Sequence, residues 1–437
     1  MLLNFSLKNW MSFRDEANFS MIASREKQHR ERLAKLETVK KNVLPISAVY
    51  GGNASGKTNF FKAFRFLKRF IVEGTRPETS IPVQNFCLDQ ESAESPSWFN
   101  IAVFSEGKVY ELEFSVNSEK VLTEKLTQIK PSSEKLLYER INGELKLGSS
   151  LSANQHLKFA FEGTRENQLF LTNSVSQRIE IFKPVYDWFK DKLMLIAPDT
   201  RFGSFEQMMN EESQIYDSIN EIISGLDTGI DHIGGETVAV DNLPLPEGKK
   251  DNLLEEIPEG KAAKIIIAGL EDERIIVTKN KGRLSAKKLV TYHKNKNGTE
   301  HKFELNQESD GSKRAVELLP AFLDLSSRKS ARVYIIDELN RSLHSLLSRN
   351  MISFFLSAFG KDSRSQLLFT THDLTLFDQS IFRRDEMWLT ERNKEGVSKL
   401  YSISDFEDVR YDKDIRKSYL QGRMGGVPNI GPLVSAR

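Results

Sequence analysis

The sequence of 437 residues predicts an α/β fold with a mixed sheet, interrupted by a compact lobe of β-strands and helices. Three observations support this prediction. An apolar strand is followed by a glycine-rich loop and an amphipathic helix, a period-2 alternation typical of a β-meander comes next, and helices then alternate with short apolar strands. We predict an N-terminal half of the fold at 1–90, the lobe at 91–265 and a C-terminal half at 266–437.

The N-terminal half begins with two predicted strands, at 2–9 and 19–22. The charged stretch 25–41 suits either an exposed helix or a mobile loop. The apolar run 43–50 is typical of a fully buried parallel strand. A helix is predicted at 57–71, where phenylalanines and a leucine recur at helical spacing and form a core face.

In the lobe, strands are predicted between 98 and 147, helices at 174–191 and 205–223, and a surface loop at 241–259. The lobe shows no sustained heptads, which excludes a long coiled-coil arm. In the C-terminal half we predict helices at 312–326 and 344–359 and strands at 332–336 and 366–369.

Composition excludes several classes of protein. The 62 Lys and Arg residues balance 61 Asp and Glu residues, so a protein that coats DNA over its whole surface is not expected. With 39% hydrophobic residues, disorder of the whole chain is excluded. The single cysteine, Cys87, cannot form an internal disulfide, and we expect it to be buried. No apolar window is long enough to span a bilayer, so we expect a cytoplasmic protein without membrane contact.

The strongest motif is GGNASGKT at 51–58, which fits the pattern G-x-x-x-x-G-K-[ST]. Its glycines let backbone N–H groups and a helix N-terminus face an anion, Lys57 reaches the β- and γ-phosphates, and Thr58 ligates Mg²⁺. The sequence therefore predicts binding of a nucleoside triphosphate with Mg²⁺. The candidate nucleotide-binding residues here are Gly51, Asn53, Ala54, Ser55, Gly56, Lys57, Thr58 and Asn59.

A P-loop needs a second carboxylate for its metal ion. The apolar strand before Asp337 delivers that side chain to the Mg²⁺, and Glu338 beside it is placed to polarise an attacking water. The alternative is an ordinary strand exit rich in acidic residues.

Two further motifs have the chemistry to contact phosphate. ESDGSKR at 308–314 places Ser309, Gly311 and Lys313 at a helix N-terminus, which forms either a second phosphate cradle or only a well-capped helix. The strand ending in His372 puts an imidazole where it can sense the γ-phosphate, although single histidines are usually structural.

In this order the motifs make the chain resemble ABC-type ATPases of the SMC, RecF and OLD kind. Within that class it is similar to AAA-type ATPases of bacterial phage defence, such as those encoded beside RloB-type Toprim proteins and the sensor ATPase of the PARIS system. The matching stretches are NWMSF, VYGGNASGKTNFFKAF, LDTGI, ESDGSKR, VYIIDELNRSLH, FTTHD, RRDEMWLTERNKEGVSKLYSISDF and YLQGRMGGVP.

The resemblance implies that Glu338 is the catalytic base and His372 the switch. Ser309, Gly311 and Lys313 would act on the ATP of a second subunit, and Leu343–His344 would be a subunit-contacting loop. The chain departs from the family at Met11, where relatives often carry Arg, and Gln84 is only a weak candidate for the glutamine of a Q-loop.

One segment, 279–302, is strongly basic, with eight Lys or Arg residues and one Glu. It is predicted to form two strands joined by a turn at 295–298. Its charge can keep the edge of a hairpin solvated, bind an acidic protein partner or bind a nucleic acid.

The leading hypothesis is an ATP-hydrolysing, Mg²⁺-dependent ABC-type ATPase. It would form head-to-tail homo-oligomers, at least dimers, and gate a separately encoded effector in anti-phage defence, which by resemblance is a Toprim-type nuclease. A RecF-like DNA-binding ATPase in DNA repair and a scaffold with structural ATP are the alternatives.

Overall fold

The computed structural model describes residues 1–198, 214–243, 245, 249–259, 262–265, 275–406 and 415–425. The chain divides into two units. Unit 1 consists of Met1–Pro198, Leu325–Asn340 and Ile352–Arg437, and unit 2 of Asp199–Asp324 and Arg341–Met351. This division differs from the predicted boundaries at 90 and 265, because the meander that was expected to open the lobe pairs with the first strand of the chain and lies in unit 1.

Within these ranges the elements are as follows. The strands are β1 (Leu2–Lys8), β2 (Ala17–Ser20), β3 (Ala34–Leu36), β4 (Lys41–Val43), β5 (Ile46–Tyr50), β6 (Ser97–Ser105), β7 (Lys108–Val116), β8 (Val121–Ile129), β9 (Glu134–Ile141), β10 (Glu144–Leu147), β11 (Leu193–Ile196), β12 (His232–Val238), β13 (Ala262–Ile265), β14 (Ile275–Asn280), β15 (Arg283–Lys294), β16 (Glu300–Glu304), β17 (Val333–Ile336), β18 (Gln366–Thr371), β19 (Met387–Arg392) and β20 (Ser398–Ser402). The helices are α1 (Lys57–Val72), α2 (Gln90–Glu94), α3 (Gln155–Glu162), α4 (Phe170–Ser176), α5 (Lys183–Asp187), α6 (Gln214–Ser224), α7 (Lys249–Glu256), α8 (Asp310–Ser326), α9 (Ser345–Ala358) and α10 (Ile415–Leu420).

Unit 1 contains an antiparallel sheet of seven strands in the order β10-β9-β8-β7-β6-β1-β2. The first two predicted strands pair with each other as β1 and β2, with Phe5 opposite Phe19. Helix α1 packs its phenylalanines on this sheet, and the ring of Phe64 lies 4.2 Å from that of Phe5. The predicted core face of α1 is therefore confirmed.

The second sheet of unit 1 carries the strand that leads into the P-loop. Its order is β11-β17-β18-β5-β19-β20, in which β20 is antiparallel and the other strands are parallel. Every residue of β5, β17 and β18 is buried, as expected for apolar strands covered on both faces. Ile336 pairs with Phe369, and Thr371 pairs with Tyr50. This register brings the carboxyl ends of three strands to one edge, and the predicted α/β class with a mixed sheet is confirmed.

Unit 2 is built on a third sheet in the order β12-β15-β14-β13, with β16 paired to β15. The predicted hairpin in 279–302 is confirmed as β15 and β16, and the Gly298 amide donates to the carbonyl of Asn295 in its turn. One face of the sheet packs against α6 and α8 through Ile219, Ile223, Val316 and Leu319.

Several local expectations differ from the structure. Residues 25–41 contain a short 3-10 turn, β3 and the first residue of β4, with Arg32 buried against Glu386. The predicted loop 241–259 contains α7, and the predicted helix 174–191 is divided into α4, α5 and a π-helical turn at Trp188–Lys192. Cys87 is exposed, not buried. The first part of the helix predicted at 205–223 lies outside the described residues, whereas its second part is α6.

Candidate nucleotide-binding site

The P-loop follows β5 directly and ends where α1 begins at Lys57. Its tight path requires glycine at two positions. A Cβ added to Gly51 would lie 2.4 Å from Thr390 Oγ1, and one added to Gly56 would lie 2.6 Å from Ser398 Oγ, with φ at +119°. These contacts leave no room for a side chain, so the loop lies directly on β19 and β20.

Hydroxyl groups behind the loop hold it in place. Ser55 Oγ lies 2.7 Å from Thr390 Oγ1, and Ser398 Oγ lies 2.8 Å from the carbonyl oxygen of Ser55. The side-chain nitrogen of Asn59 donates to Ser12 Oγ at 2.8 Å. The NWMSF segment therefore supports the P-loop from behind. Within this segment, the backbone N–H of Met11 donates to the carbonyl oxygen of Gln84 at 2.7 Å.

Lys57 is 7% exposed, and its ammonium group donates to the carbonyl oxygens of Gly51 at 2.7 Å and Gly52 at 2.9 Å. Burial lowers the pKa of Lys57, whereas the carboxylates of Asp337 and Glu338 act in the opposite direction. The ammonium is thus held inside the loop by acceptors that the oxygens of a phosphate can replace.

Asp337 follows the last residue of β17 and is fully buried. Its Oδ1 accepts a hydrogen bond from Thr370 Oγ1 at 2.5 Å, while Oδ2 is buried with no hydrogen-bond partner among the described residues. Burial raises the pKa of Asp337, and the nearby hydroxyls of Thr370 and Thr58 and the Lys57 ammonium oppose this effect. A buried carboxylate oxygen without a donor, close to the Thr58 hydroxyl, suits a divalent cation with oxygen ligands.

Glu338 has a left-handed backbone conformation, with φ at +50°, which is strained for a residue with a side chain. Its amide donates to Thr370 Oγ1 at 2.8 Å, so the same hydroxyl that donates to Asp337 also accepts from Glu338. Thr370 therefore fixes both acidic residues, and the left-handed turn places the half-buried Glu338 side chain outside the strand.

His372 follows β18 and is exposed, and its Nε2 lies 3.4 Å from the side-chain nitrogen of Asn340. The side-chain oxygen of Asn340 accepts from Thr371 Oγ1 at 2.7 Å, which assigns the nitrogen as the atom facing the imidazole. Asn340 thus connects the segment after β17 with the residue predicted to be the switch.

In unit 2, Ser309 caps α8, because its Oγ accepts from the Ser312 amide at 3.1 Å. A Cβ on Gly311 would lie 2.8 Å from the carbonyl oxygen of Ser342, so the two chain segments touch only because position 311 is glycine. Lys313 Nζ lies 3.8 Å from the Asp310 carboxylate. A cleft of about 500 Å³ lies here, lined by the turn 225–228, Ser309, Gly311 and the segment 342–344.

The structure therefore brings the P-loop, Asp337, Glu338 and His372 together at one sheet edge of unit 1, and Ser309, Gly311 and Leu343–His344 around one cleft of unit 2. Sequence reasoning missed Thr370 and Asn340. The signal for Thr370 was present, since two threonines end an otherwise apolar strand in FTTHD, but its role depends on the register of β17 and β18.

The basic hairpin is partly neutralised within unit 2. Lys294 Nζ lies 2.8 Å from Asp231 and 3.7 Å from Glu300, and Lys302 Nζ lies 2.7 Å from Glu236. Asp231, His232 and Glu300 also form a group with the donor types of a metal site. The Lys294 ammonium already provides the positive charge at that place, so this group carries no metal assignment.

Among the described residues, none of the helices combines the length and the apolar character needed to cross a bilayer.

Comparisons with known proteins give one family and several structures. A family model described as "AAA domain, putative AbiEii toxin, Type IV TA system" matches residues 46–378. The chain is similar to the SMC head domain from Thermotoga maritima, with 14% identity, a TM-score of 0.37 and coverage of 92% of this chain and 98% of that one. It is also similar to a structure described as the SmcHead bound to the C-winged helix domain of ScpA, with 13% identity, a TM-score of 0.37 and coverage of 92% and 97%. No curated protein matches the chain.

Proposed function

The chain belongs to the AAA-domain family whose model spans residues 46–378, and on that premise we propose that it binds ATP with Mg²⁺ and hydrolyses it. The observation that carries the proposal is the edge of the parallel strands, where a P-loop lysine lies near a fully buried Asp337 whose Oδ2 has no partner among the described residues. A binding loop alone would not require a buried carboxylate beside it.

The P-loop amides and Lys57 bind the β- and γ-phosphates in this proposal. The oxygens of the triphosphate replace the carbonyl groups of Gly51 and Gly52 as acceptors for the Lys57 ammonium. Mg²⁺, when bound, would be held by Thr58 and Asp337 and would neutralise charge on the phosphate oxygens.

Glu338 acts as the base. A water oxygen forms a bond to the γ-phosphorus, the bond from that phosphorus to the bridging oxygen breaks, and the water proton moves to the Glu338 carboxylate, which leaves ADP and inorganic phosphate. The Thr370 hydroxyl holds the Glu338 backbone during this step. His372 contacts the γ-phosphate. When phosphate is released this contact is lost, and the change is transmitted to Asn340 through the contact between the two side chains.

Phosphate release tests this function. We expect steady ATP hydrolysis by the full chain, and a loss of at least about 100-fold in Lys57→Ala and in Glu338→Gln. Lys62→Ala on the exposed face of α1 is the matched control and keeps wild-type activity. Glu338→Gln retains ATP, whereas Lys57→Ala does not bind it. Wild-type chain that binds ATP without turnover would instead support the scaffold alternative.

We further propose that two chains associate head to tail, so that Ser309, Gly311 and Lys313 of one chain face the ATP of the other. The support is that Ser309, Gly311 and the segment 342–344 line one cleft in a unit separate from the P-loop, and Lys313 follows in the first turn of α8. Closure on ATP then gates a separately encoded effector, by resemblance a Toprim-type nuclease in anti-phage defence. The family description, which names a toxin of a type IV TA system, fits a defence role.

Mixing two inactive variants tests the head-to-tail arrangement. Lys57→Ala lacks a working P-loop, and Ser309→Arg disrupts the helix N-terminus that would face the ATP of the other chain. Half of randomly mixed dimers are heterodimers and each contains one complete site of two, so we expect roughly a quarter of wild-type hydrolysis. Mixing either variant with itself is the control. No recovery in the mixture would contradict the arrangement while leaving hydrolysis itself intact.

The DNA-binding alternative has less support, because Asp231, Glu236 and Glu300 neutralise two of the lysines of the hairpin.

A further inference from the structure

Glu308 is the residue directly before Ser309, and its side chain is almost fully buried in unit 2. The exposed fraction of that side chain is 6%. One carboxylate oxygen, Oε1, accepts from Thr291 Oγ1 at 2.5 Å and lies 2.7 Å from His293 Nε2. A carboxylate only accepts hydrogen bonds, so Nε2 of His293 carries the proton that points to Glu308. Both donors come from β15.

These two bonds act on a short segment of chain. Leu305, buried in the core of unit 2, begins a 3-10 turn, and the Glu308 amide donates to the Leu305 carbonyl oxygen at 3.2 Å. The next residue, Ser309, caps α8. Fixing the Glu308 side chain therefore fixes the backbone between the turn and the first residues of α8, which line the cleft.

Nδ1, the other ring nitrogen of His293, lies beside Gly229, the residue that follows the cleft-lining turn 225–228. A Cβ added to Gly229 would lie 3.4 Å from His293 Nδ1, and φ at Gly229 is +76°. The ring also makes an edge contact with Phe303, with centroids 4.7 Å apart. The turn that ends at Gly229 lines the cleft through residues 225–228. His293 thus lies between Glu308 and Gly229, each of which adjoins a residue that lines the cleft.

We propose that His293 and Glu308 are positioning residues that hold the signature loop, residues 308–312, in the geometry needed to face a nucleotide. The proposal rests on the proposed ATPase function for the identity of that ligand. Neither residue touches the reacting atoms. Their effect passes through the Ser309 cap and the Gly229 turn, so β15, a strand outside the ATP-binding sequence motifs, determines how the loop is presented.

The test uses the full chain and two readouts, amide hydrogen exchange of residues 309–313 and steady-state ATP hydrolysis. We expect His293→Ala to speed exchange of these amides by roughly 5- to 10-fold, because one charge-assisted bond to Glu308 is lost. We expect kcat to fall about 10-fold while binding of ATP to the P-loop, measured with Glu338→Gln in the same background, is unchanged.

Two further variants separate positioning from folding. His293→Gln keeps a donor at the end of the side chain and restores both readouts to within about 3-fold of wild type. His301→Ala is the matched control, because His301 is exposed and faces His293 across the strand pair β15 and β16.

The outcomes are distinct. Faster exchange and lower kcat in His293→Ala, with recovery in His293→Gln, support the proposal. Exchange and kcat in His293→Ala equal to those of His301→Ala overturn it. If the wild-type chain hydrolyses no ATP, the proposed function fails, whereas the exchange readout still decides whether these two residues hold the loop.

Discussion

The P-loop edge of unit 1 and the cleft of unit 2 both contain a buried acidic residue bound by a buried threonine, but their surroundings differ. Asp337 is fully buried, and its neighbours Lys57, Glu338 and Thr370 come from the ends of parallel strands and the P-loop. Glu308 is bound by two residues of a single antiparallel strand, and one of them, His293, is 27% exposed on its side chain.

The two threonines differ in the hydrogen bonds that remain when the threonine hydroxyl is removed. Thr370 Oγ1 binds two groups, Asp337 Oδ1 and the Glu338 amide. Thr291 shares the Glu308 carboxylate with His293, so removal of its hydroxyl leaves one donor in place. A buried polar group that loses its last partner costs far more than one that keeps another partner. The geometry in unit 1 is therefore the more sensitive one.

Isosteric substitutions of the two threonines sharpen this comparison. Thr370→Val removes a donor from Asp337 and an acceptor from Glu338, and we expect ATP hydrolysis to fall by roughly 10- to 100-fold, with a stability loss of about 1–3 kcal/mol. Thr291→Val leaves the bond between His293 and Glu308 intact. We expect a stability loss of about 1 kcal/mol and a fall in ATP hydrolysis of less than about 5-fold.

Urea unfolding and phosphate release measure the two effects on the same samples. Both threonines are almost completely buried and both become valine, so differences in volume or exposure do not explain an unequal result. Equal losses in the two variants would break the comparison, because they would mean that the second donor to Glu308, His293, does not lower the cost of losing the threonine hydroxyl.

The same contrast explains what the sequence predicts and what it does not. The P-loop, Asp337 and His372 are read from contiguous motifs, since an apolar strand followed by a polar residue places that residue at the sheet edge. The role of Thr370 needs the pairing of Ile336 with Phe369, and the meander joins unit 1 through the pairing of Phe5 with Ile101. Nothing local in these strands identifies a partner so distant along the chain.

In unit 2, sequence reasoning identified Ser309 and Gly311 but not the residues that hold them. His293 lies in the basic segment 279–302, and its contact with Glu308 depends on how β15 leads toward the turn before α8. Exposed Cys87 shows the same limit, since the tendency of a free cysteine to be buried is an average over proteins and does not fix one position.

The smallest predicted effect comes from backbone strain at two nearby positions, one in each unit. Glu338 of unit 1 and Ser342 of unit 2 both have left-handed conformations, with φ at +50° and +62°. Glycine relieves this strain, about 1–2 kcal/mol, but loses more entropy on folding, about 0.5–1 kcal/mol. We expect the free energy of unfolding of each glycine variant in urea to rise by up to about 1.5 kcal/mol. Only Glu338→Gly loses hydrolysis. Ser342 lines the cleft, but the atom that approaches Gly311 is its backbone carbonyl oxygen, which a glycine at 342 also has. If Ser342→Gly gains stability and Glu338→Gly does not, the left-handed turn at Glu338 is supported by contacts of its own side chain and stores no strain for catalysis.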